Sequence, residues 1–427
     1  MARLAFVSPL PPAETGIASY SAAVLAALER EGFTRRHEVD VVWPVGRKSL
    51  ERVRRADLAI YHVGNNATFH RDIYRLAVEQ PGVVVLHDLA LDDLIRSFVM
   101  DGDPLGKRAL IEARASGGRV SHEHSAGSRA LATPWCAHVA RRARAIIVHS
   151  EFGRRYLFAA GCRTPVYVAP HPVIESEEAI ARAREDGRSL RADLERSNGV
   201  PPFEVLVGVI GDLSSAKGIA AILEALPSID AAVHLVLVGR TASGWDVMSA
   251  VKLRGHSNRV TVARNVSDRQ FLAWLCACDI ALNLRHPHRG EVSGSLIRAL
   301  QAGVPTVVSA TGTYMEWPPD TVVRVSGGEP KAGDLAFVVT LLAMNPGLRT
   351  SAGQRGRAFL LEHCNPAATA ELYERAVNET LALLGDPLRH AVSRWAAGLA
   401  ECGATAETAR RGFGTRFAEE LAILSSS

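Results

Sequence analysis

The chain has 427 residues, 47% of them hydrophobic and 22% charged, a balance that excludes a largely disordered protein. That length predicts two domains, each large enough to bury its own core. A formal charge of +4 gives no reason to expect nucleic acid as a partner, although a mildly basic surface suits anionic substrates. No apolar stretch approaches the ~20 residues of a membrane span.

The chain opens on a short apolar run, Met1 to Ser8, ended by Pro9, Pro11 and Pro12. It is shorter than the apolar core of a signal peptide, so the expected location is cytoplasmic. Contact at the inner face of a membrane is left open. Short runs rich in Val and Ile at 4–8, 39–43, 58–62, 83–87, 145–149 and 166–169 read as strands. Helix-period segments such as 18–30 and 152–160 lie between them, the alternation of βαβ units and a parallel sheet. The glycine-rich stretch 101–134 reads as a loop and helix region without sheet. The charged stretch 175–199 reads as a linker or a surface helix, and it ends at Pro201-Pro202.

A second alternating series follows, with strands expected at 205–210, 233–238, 260–263, 280–284, 306–309 and 322–325. After Gly333 the pattern is helical. The expected organisation is a first Rossmann-like domain over 1–190, a second over 200–365 and C-terminal helices over 366–427. Within the last segment Leu388, Ala391, Trp395 and Leu399 fall at helix spacing. Its role is read as packing, with membrane docking as the other option, aided by Arg141, Arg142, Arg144, Arg154 and Arg155. Six cysteines (Cys136, Cys162, Cys276, Cys278, Cys364 and Cys402) are scattered without zinc or redox spacing.

Ligands of doubly wound sheets bind at the carboxyl ends of the strands, and four polar segments fall there. Gly211 to Gly218, with Asp212 and Lys217 inside it, links an expected strand to an expected helix, a geometry that offers backbone N–H groups and a cation to a phosphate. A solvated lysine beside an ordinary turn fits the spacing equally well. Arg285 to Ser295 leads into a helix opened by Ser293, Gly294 and Ser295. Free N–H groups at such a start bind a diphosphate, and Glu291 just ahead could accept from sugar hydroxyls. In the plainer alternative Ser293 is an N-cap and Glu291 a surface charge. Near the N-terminus, Pro9 to Tyr20 carries Gly16, where a backbone could approach a ligand closely. His87 ends a strand on the cleft side, with a sugar hydroxyl, a phosphate or Asp88 as its partner. His62 and His149 hold similar positions.

The ordered series resembles the glycosyltransferase family 4 enzymes. It rests on Gly211…Lys217-Gly218, on Val266-Ser267-Asp268-Arg269-Gln270-Phe271-Leu272…Cys278-Asp279-Ile280, and on Glu291…Gly294…Ala299-Leu300-Gln301-Ala302-Gly303-Val304-Pro305. The opening Pro9 to Tyr20 looks like the branch associated with polysaccharide assembly. The resemblance spans nearly the whole length and implies an α/β protein of GT-B fold, two facing doubly wound Rossmann-like domains around a deep cleft. It implies retaining transfer of a sugar from a nucleotide-diphosphate sugar, a co-substrate rather than a cofactor, with no metal; the alternatives are a non-catalytic sugar-nucleotide binding or assembly protein, or an epimerase or phosphorylase of the same fold. The acceptor would be a carbohydrate, a lipid-linked glycan or a small molecule.

Carried over by position, the catalytic set is His87, Glu291 and Lys217. The donor-binding set adds Gly16, Gly211, the segment Arg264, Asn265 and Val266 beside the nucleobase, the backbone of Ser293, Gly294 and Ser295, and Arg298. Two departures stand out. Asp212 occupies a position where the family commonly has arginine. Arg298 falls where the second of two glutamates is common, and the first aligns with Gly290, one residue before Glu291. Arg298 either replaces ribose recognition with a charge contact or pairs with a local carboxylate.

Overall fold

The computed structural model describes residues 1–46, 48–241, 245–255 and 257–385. The C-terminal amphipathic stretch, including Leu388, Ala391, Trp395 and Leu399, lies outside the described residues.

Both strand series form all-parallel sheets. The first contains β1 (Ala2–Val7), β2 (His37–Val42), β3 (Leu58–Val63), β4 (Val83–Leu86), β5 (Ala145–Val148) and β6 (Val166–Val168), in the order β2-β1-β3-β4-β5-β6. The second contains β7 (Val205–Ile210), β8 (Val233–Gly239), β9 (Val260–Arg264), β10 (Ile280–Asn283), β11 (Thr306–Ser309) and β12 (Val323–Val325), in the order β12-β11-β10-β7-β8-β9. In each the first strand sits inside the sheet and the chain winds outward on both sides. That leaves a crevice at the point where the winding reverses, β1 beside β3 and β7 beside β10.

The reason for this architecture lies in the strand sequences. β3, β4, β7 and β8 are buried along their whole length. A run without polar alternation, such as Val205-Leu206-Val207-Gly208-Val209-Ile210, needs cover on both faces, and helices supply it. Leu4, Phe6, Ile60 and Val85 pack on one side of the first sheet, while Val7, Tyr61, Val63 and Val84 pack on the other. The second sheet divides in the same way.

Helix starts follow side-chain caps. Thr15, Asn66, Asp103, Ser150, Ser176, Ser293 and Asn365 each accept a hydrogen bond from the first turn of the helix they precede. Ser267 and Gln270 form a reciprocal capping box at the helix Asp268–Ala277.

The glycine-rich stretch after residue 101 contains the helix Pro104–Gly117 followed by turns. The charged stretch is the helix Glu177–Glu195, whose Ile180, Ala183 and Leu194 join Leu206, Val236 and Leu272 beneath the second sheet. After the helix Pro346–His363 the chain turns back. The helix Pro366–Leu384 places Ala370, Tyr373, Ala376 and Val377 in the core of the first sheet, on the side of Phe6 and Val85.

Candidate active site

The loop after β7 and the helix after β10 meet at one cation. Gly211 follows β7 with a φ of +127°, and Gly239 at the end of β8 presses against it so closely that a Cβ there would lie 1.9 Å from the Gly211 carbonyl oxygen. Only glycine fits that approach. The chain then makes one 3-10 turn, Ser215–Lys217, before the helix Ile219–Ala225. Lys217 is only 4% exposed, so it is not the solvated lysine that the turn alone allowed. Its Nζ donates to the Ile210 carbonyl (3.1 Å) and to Ser295 Oγ (3.4 Å). Among the described residues no carboxylate lies within ion-pair distance of it. Burial pushes its pKa well below the usual lysine range and the Arg285 cation adds to that, against the opposing pull of Asp212 and Glu291.

Ser293 caps the helix Gly294–Ala302 through Leu296 N–H. Its hydroxyl also lies 3.1 Å from that of Ser295, which accepts from Asn283 Nδ2 at 2.9 Å. Asn283 is held in turn by the Tyr314 hydroxyl. Lys217, Ser293, Gly294 and Ser295 are therefore brought together.

Glu291 lies in the loop ahead of that helix and turns inward. One oxygen binds Arg285 Nε at 2.9 Å and the other accepts from Arg289 N–H at 2.7 Å. Both side chains of the Arg285 pair are less than one-fifth exposed. Arg285 also donates to the Leu284 carbonyl and reaches Ser293 Oγ at 3.4 Å. Arg285 and Asn283 lacked an assigned role in the sequence. The one signal was a cation placed directly after an apolar strand.

The same loop crosses to the first domain. The Arg289 carbonyl accepts from Leu89 N–H (2.9 Å) and Ala90 N–H (3.1 Å), and its guanidinium binds Asp92 and Asp93. Ser128 Oγ donates to the His288 carbonyl at 2.6 Å. Asp88 sits at this junction and accepts from Asn65 N–H at 2.8 Å. Burial first, then the charge of Glu291, raises its pKa from 3.8 to about 7. Asp88 was also without an assigned role of its own.

His87 closes the first-domain side. It packs edge-on against Tyr20 (centroids 4.7 Å apart) and meets His62 ring edge to ring edge, with its Nε2 at 3.1 Å from His62 Nδ1. His149 and His171 also surround Tyr20. Burial lowers the pKa of His149 to about 4 and of His171 to about 3, and holds His62 and His87 well below the usual histidine range. A Cβ at Gly294 would stand 3.9 Å from His171 Nε2, which puts the start of the helix Gly294–Ala302 beside this cluster. Gly16 begins the helix Gly16–Arg30, and a Cβ there would meet nothing within 4 Å. No packing inside the protein therefore demands a glycine at that point.

The remaining expected residues are more dispersed. Arg264 ends β9 and Asn265 follows with a φ of +54°, both exposed at the edge of the second sheet with Val266 half-buried after them. Arg298 pairs with Glu175 at 2.6 Å, which is the local-carboxylate alternative, and Gln301 clamps the backbone of the same Glu175. Asp212 holds Arg240, whose guanidinium also reaches the Glu14 carbonyl ahead of Gly16. A cation thus does stand beside position 212, supplied from the end of β8.

The sequence contains one Asp-x-Asp, Asp101-Gly102-Asp103. Asp101 pairs with Arg71, while Asp103 caps a helix and binds Arg75 at 2.6 Å. Among the described residues no group of three or more His, Cys, Asp or Glu is arranged to hold a metal ion. No helix among them is long and apolar enough to cross a membrane. Of the arginines read as a docking face, Arg141 and Arg142 pair with Glu112, Arg154 with Glu151 and Arg155 with Glu316.

Residues 204–331 match the family described as glycosyl transferases group 1. That segment begins just before β7 and runs past Lys217, Glu291 and Ser295, so the match covers the second sheet's half of the site. Solved structures extend the likeness to both domains. HepE from Anabaena, in complex with UDP and glucose, superposes with a TM-score of 0.59 at 15% identity, over 89% of this chain and 100% of that one. The fold is GT-B. Sucrose-phosphate synthase from Thermosynechococcus elongatus gives the same GT-B arrangement, with a TM-score of 0.63 at 15% identity over 90% and 100% of the two chains. WaaG, a glycosyltransferase of lipopolysaccharide biosynthesis, reaches 0.55 at 15% identity over 86% and 99%. No curated protein matches the sequence significantly.

Proposed function

We propose that this protein is a retaining glycosyltransferase that moves a sugar from a nucleotide-diphosphate donor to an acceptor hydroxyl. The observation that carries the reading is Lys217, a buried lysine without a paired carboxylate among the described residues, aimed at the opening of the helix Gly294–Ala302. A buried amine with no carboxylate partner among the described residues, beside the N-terminus of a helix, suits an anion that would favour its charged form, and a diphosphate suits both. The group 1 family match over that same segment, and the fold shared with proteins solved with UDP or UDP-glucose, support a nucleotide sugar as the anion.

In this reading the bond from the anomeric carbon to the diphosphate oxygen breaks while the acceptor oxygen bonds on the same face. The acceptor proton passes to the departing phosphate oxygen, so the scheme needs no metal. Lys217, the N–H groups at Ser293 to Ser295, and Arg285 stabilise the negative charge that develops there. His87 and Glu291 face the sugar from opposite domains, and Gly16 leaves room for donor or acceptor. Arg264, Asn265 and Val266 border the base. The loop from Arg285 to Ser293 joins the two domains over the reacting centre and keeps water out.

The test is ligand-induced stabilisation by a panel of nucleotide sugars. A donor at 100 times its dissociation constant raises stability by about 2.7 kcal/mol. We expect one donor to do so for the wild type and the shift to vanish in Lys217→Ala, with the thermal midpoint of each unliganded variant as its own reference. No shift with any donor in the wild type removes the transferase reading. A second reading, a sugar-nucleotide binder without turnover, is favoured by one observation: both carboxylate oxygens of Glu291 are occupied within its own loop. Donor binding with no transfer across a broad acceptor panel would establish it.

A further inference from the structure

A chain of four hydrogen bonds runs from the backbone of the first loop to His87. Ser8 Oγ lies 3.1 Å from the Pro9 carbonyl oxygen and 2.6 Å from Ser21 Oγ. Ser21 Oγ lies 3.3 Å from His62 Nδ1, which lies 3.1 Å from His87 Nε2. Ser8, Ser21 and His62 are buried, with exposures of 0%, so water does not enter the count.

Counting protons along this chain leaves one assignment that makes every bond with no more than one three-centre hydrogen. A carbonyl only accepts, so the Ser8 hydroxyl donates to Pro9. Its single proton is then spent, and Ser21 must donate to Ser8. Ser21 in turn has no proton left for His62, so His62 Nδ1 carries the hydrogen and donates. A protonated Nδ1 cannot accept, so His87 Nε2 accepts from it in a three-centre bond shared with Ser21. A neutral imidazole that accepts at one nitrogen carries its hydrogen on the other. His87 therefore holds its proton on Nδ1, the nitrogen outside this chain.

The neighbouring rings obey the same pattern. His149 Nδ1 faces the Ala169 carbonyl, His171 Nδ1 the Pro172 carbonyl and His70 Nδ1 the His62 carbonyl, so each is the Nδ1–H tautomer. The Nε2 atoms of His62, His70 and His149 are buried without hydrogen-bond partners among the described residues. A bare lone pair against aromatic rings is the less costly group to leave there; an unpaired buried N–H is the rarer one.

We infer that His62 is a positioning residue that fixes His87 in the Nδ1–H tautomer, so that His87 offers the cleft a hydrogen-bond donor and takes up no proton there. This rests on the proposed transferase reading for its consequence, since the oxygen that receives the bond would be a hydroxyl of the transferred sugar. The tautomer itself does not depend on that reading. Ser21 and Ser8 extend the same role outward, and together they exclude His87 Nδ1 as a general base for the acceptor.

Nitrogen-15 spectra of the ligand-free full chain, labelled at histidine and assigned by loss of the His87 signals in His87→Ala, read the tautomer directly. The expected result is a protonated Nδ1 and an unprotonated Nε2 at His87. A protonated Nε2 in the wild type would overturn the inference. In His62→Asn the amide nitrogen stands where Nδ1 stood and keeps the tautomer, while His62→Phe lets both forms appear. With the donor found above, kcat/KM falls about tenfold or more in His62→Phe, as for loss of one hydrogen bond to a reacting ligand, and His62→Asn recovers most of it. Equal losses in the two variants would mean that His62 only fills space, and the inference would fall. If no donor is ever transferred, the transferase reading fails and the wild-type spectrum still decides the tautomer.

Discussion

Asp88 stores pH dependence at the junction of the two domains. Its carboxyl goes from 3.8 to about 7 on folding, through burial and then through Glu291. A raised folded-state pKa means that the native chain binds more protons than the unfolded one between those values. Stability from this group is complete below about pH 4 and is lost as pH rises through about 7. Asp88→Asn keeps the acceptor for Asn65 N–H and removes the ionisation. We expect a rise in unfolding free energy at pH 8 of about 2–4 kcal/mol relative to wild type, and little change at pH 4. Denaturant titrations at the two values check it, and an equal effect at both would contradict the assignment.

Residue-scale legibility had a clear limit. Lys217, Ser293 and Ser295 were visible because a glycine-bounded turn after a strand and a serine-opened helix are local patterns. The engagement of Glu291 by Arg285, and the identity of Glu175 as the carboxylate that meets Arg298, are not legible in the sequence, since ion pairing depends on which side chains the loops and the linker place opposite each other. Of the histidines around Tyr20, His62 lies on β3 while His87, His149 and His171 follow β4, β5 and β6, and only the sheet order makes them neighbours.

Among the elements, strands were the most readable, because unbroken Val and Ile runs have few alternatives in a parallel sheet. β1 begins two residues earlier than its apolar run predicts. Backbone pairing, Ala2 with His37 and Arg3 with Glu38, extends past the buried part of the strand. The helix Glu177–Glu195 was harder, being charged on most of its surface, with only a narrow buried stripe. Gly187 lies on that stripe against the helix Asp268–Ala277. A Cβ there would sit 2.6 Å from the Ala273 carbonyl oxygen and 3.0 Å from Ala277 N. Backbone cannot yield as a side chain can, so Gly187→Val forces the helices apart. We expect a loss of about 2–3 kcal/mol by thermal or denaturant unfolding, the scale of overpacking in a filled interior. Gly16→Ala, where the protein offers open space, should leave stability unchanged within about 0.5 kcal/mol.

For the whole molecule, the Arg285 to Ser293 loop is one of the joins between the two halves, beside Arg240 with Glu14 and Arg155 with Glu316. Arg289 contributes two accepted backbone bonds and two ion pairs to the first domain. Arg289→Ala keeps the backbone bonds and drops the charges from Asp92 and Asp93, leaving Asp92, which is 8% exposed at its side chain, next to Asn65 and Arg96 alone. We expect a larger radius of gyration in solution scattering and a greater contraction on adding donor than in wild type. An unchanged profile would show that the Arg289 charges are not needed to hold the halves together.

The return of the last described helix to the first sheet means that the chain passes between the domains twice. The two passages run side by side: Val173 N–H donates to the Cys364 carbonyl at 3.1 Å, and Thr369 Oγ1 donates to the Pro170 carbonyl at 2.9 Å. A single tether would leave three rotations and some sliding between the halves. Two tethers bonded to each other restrict sliding and twisting of the halves more than one tether would.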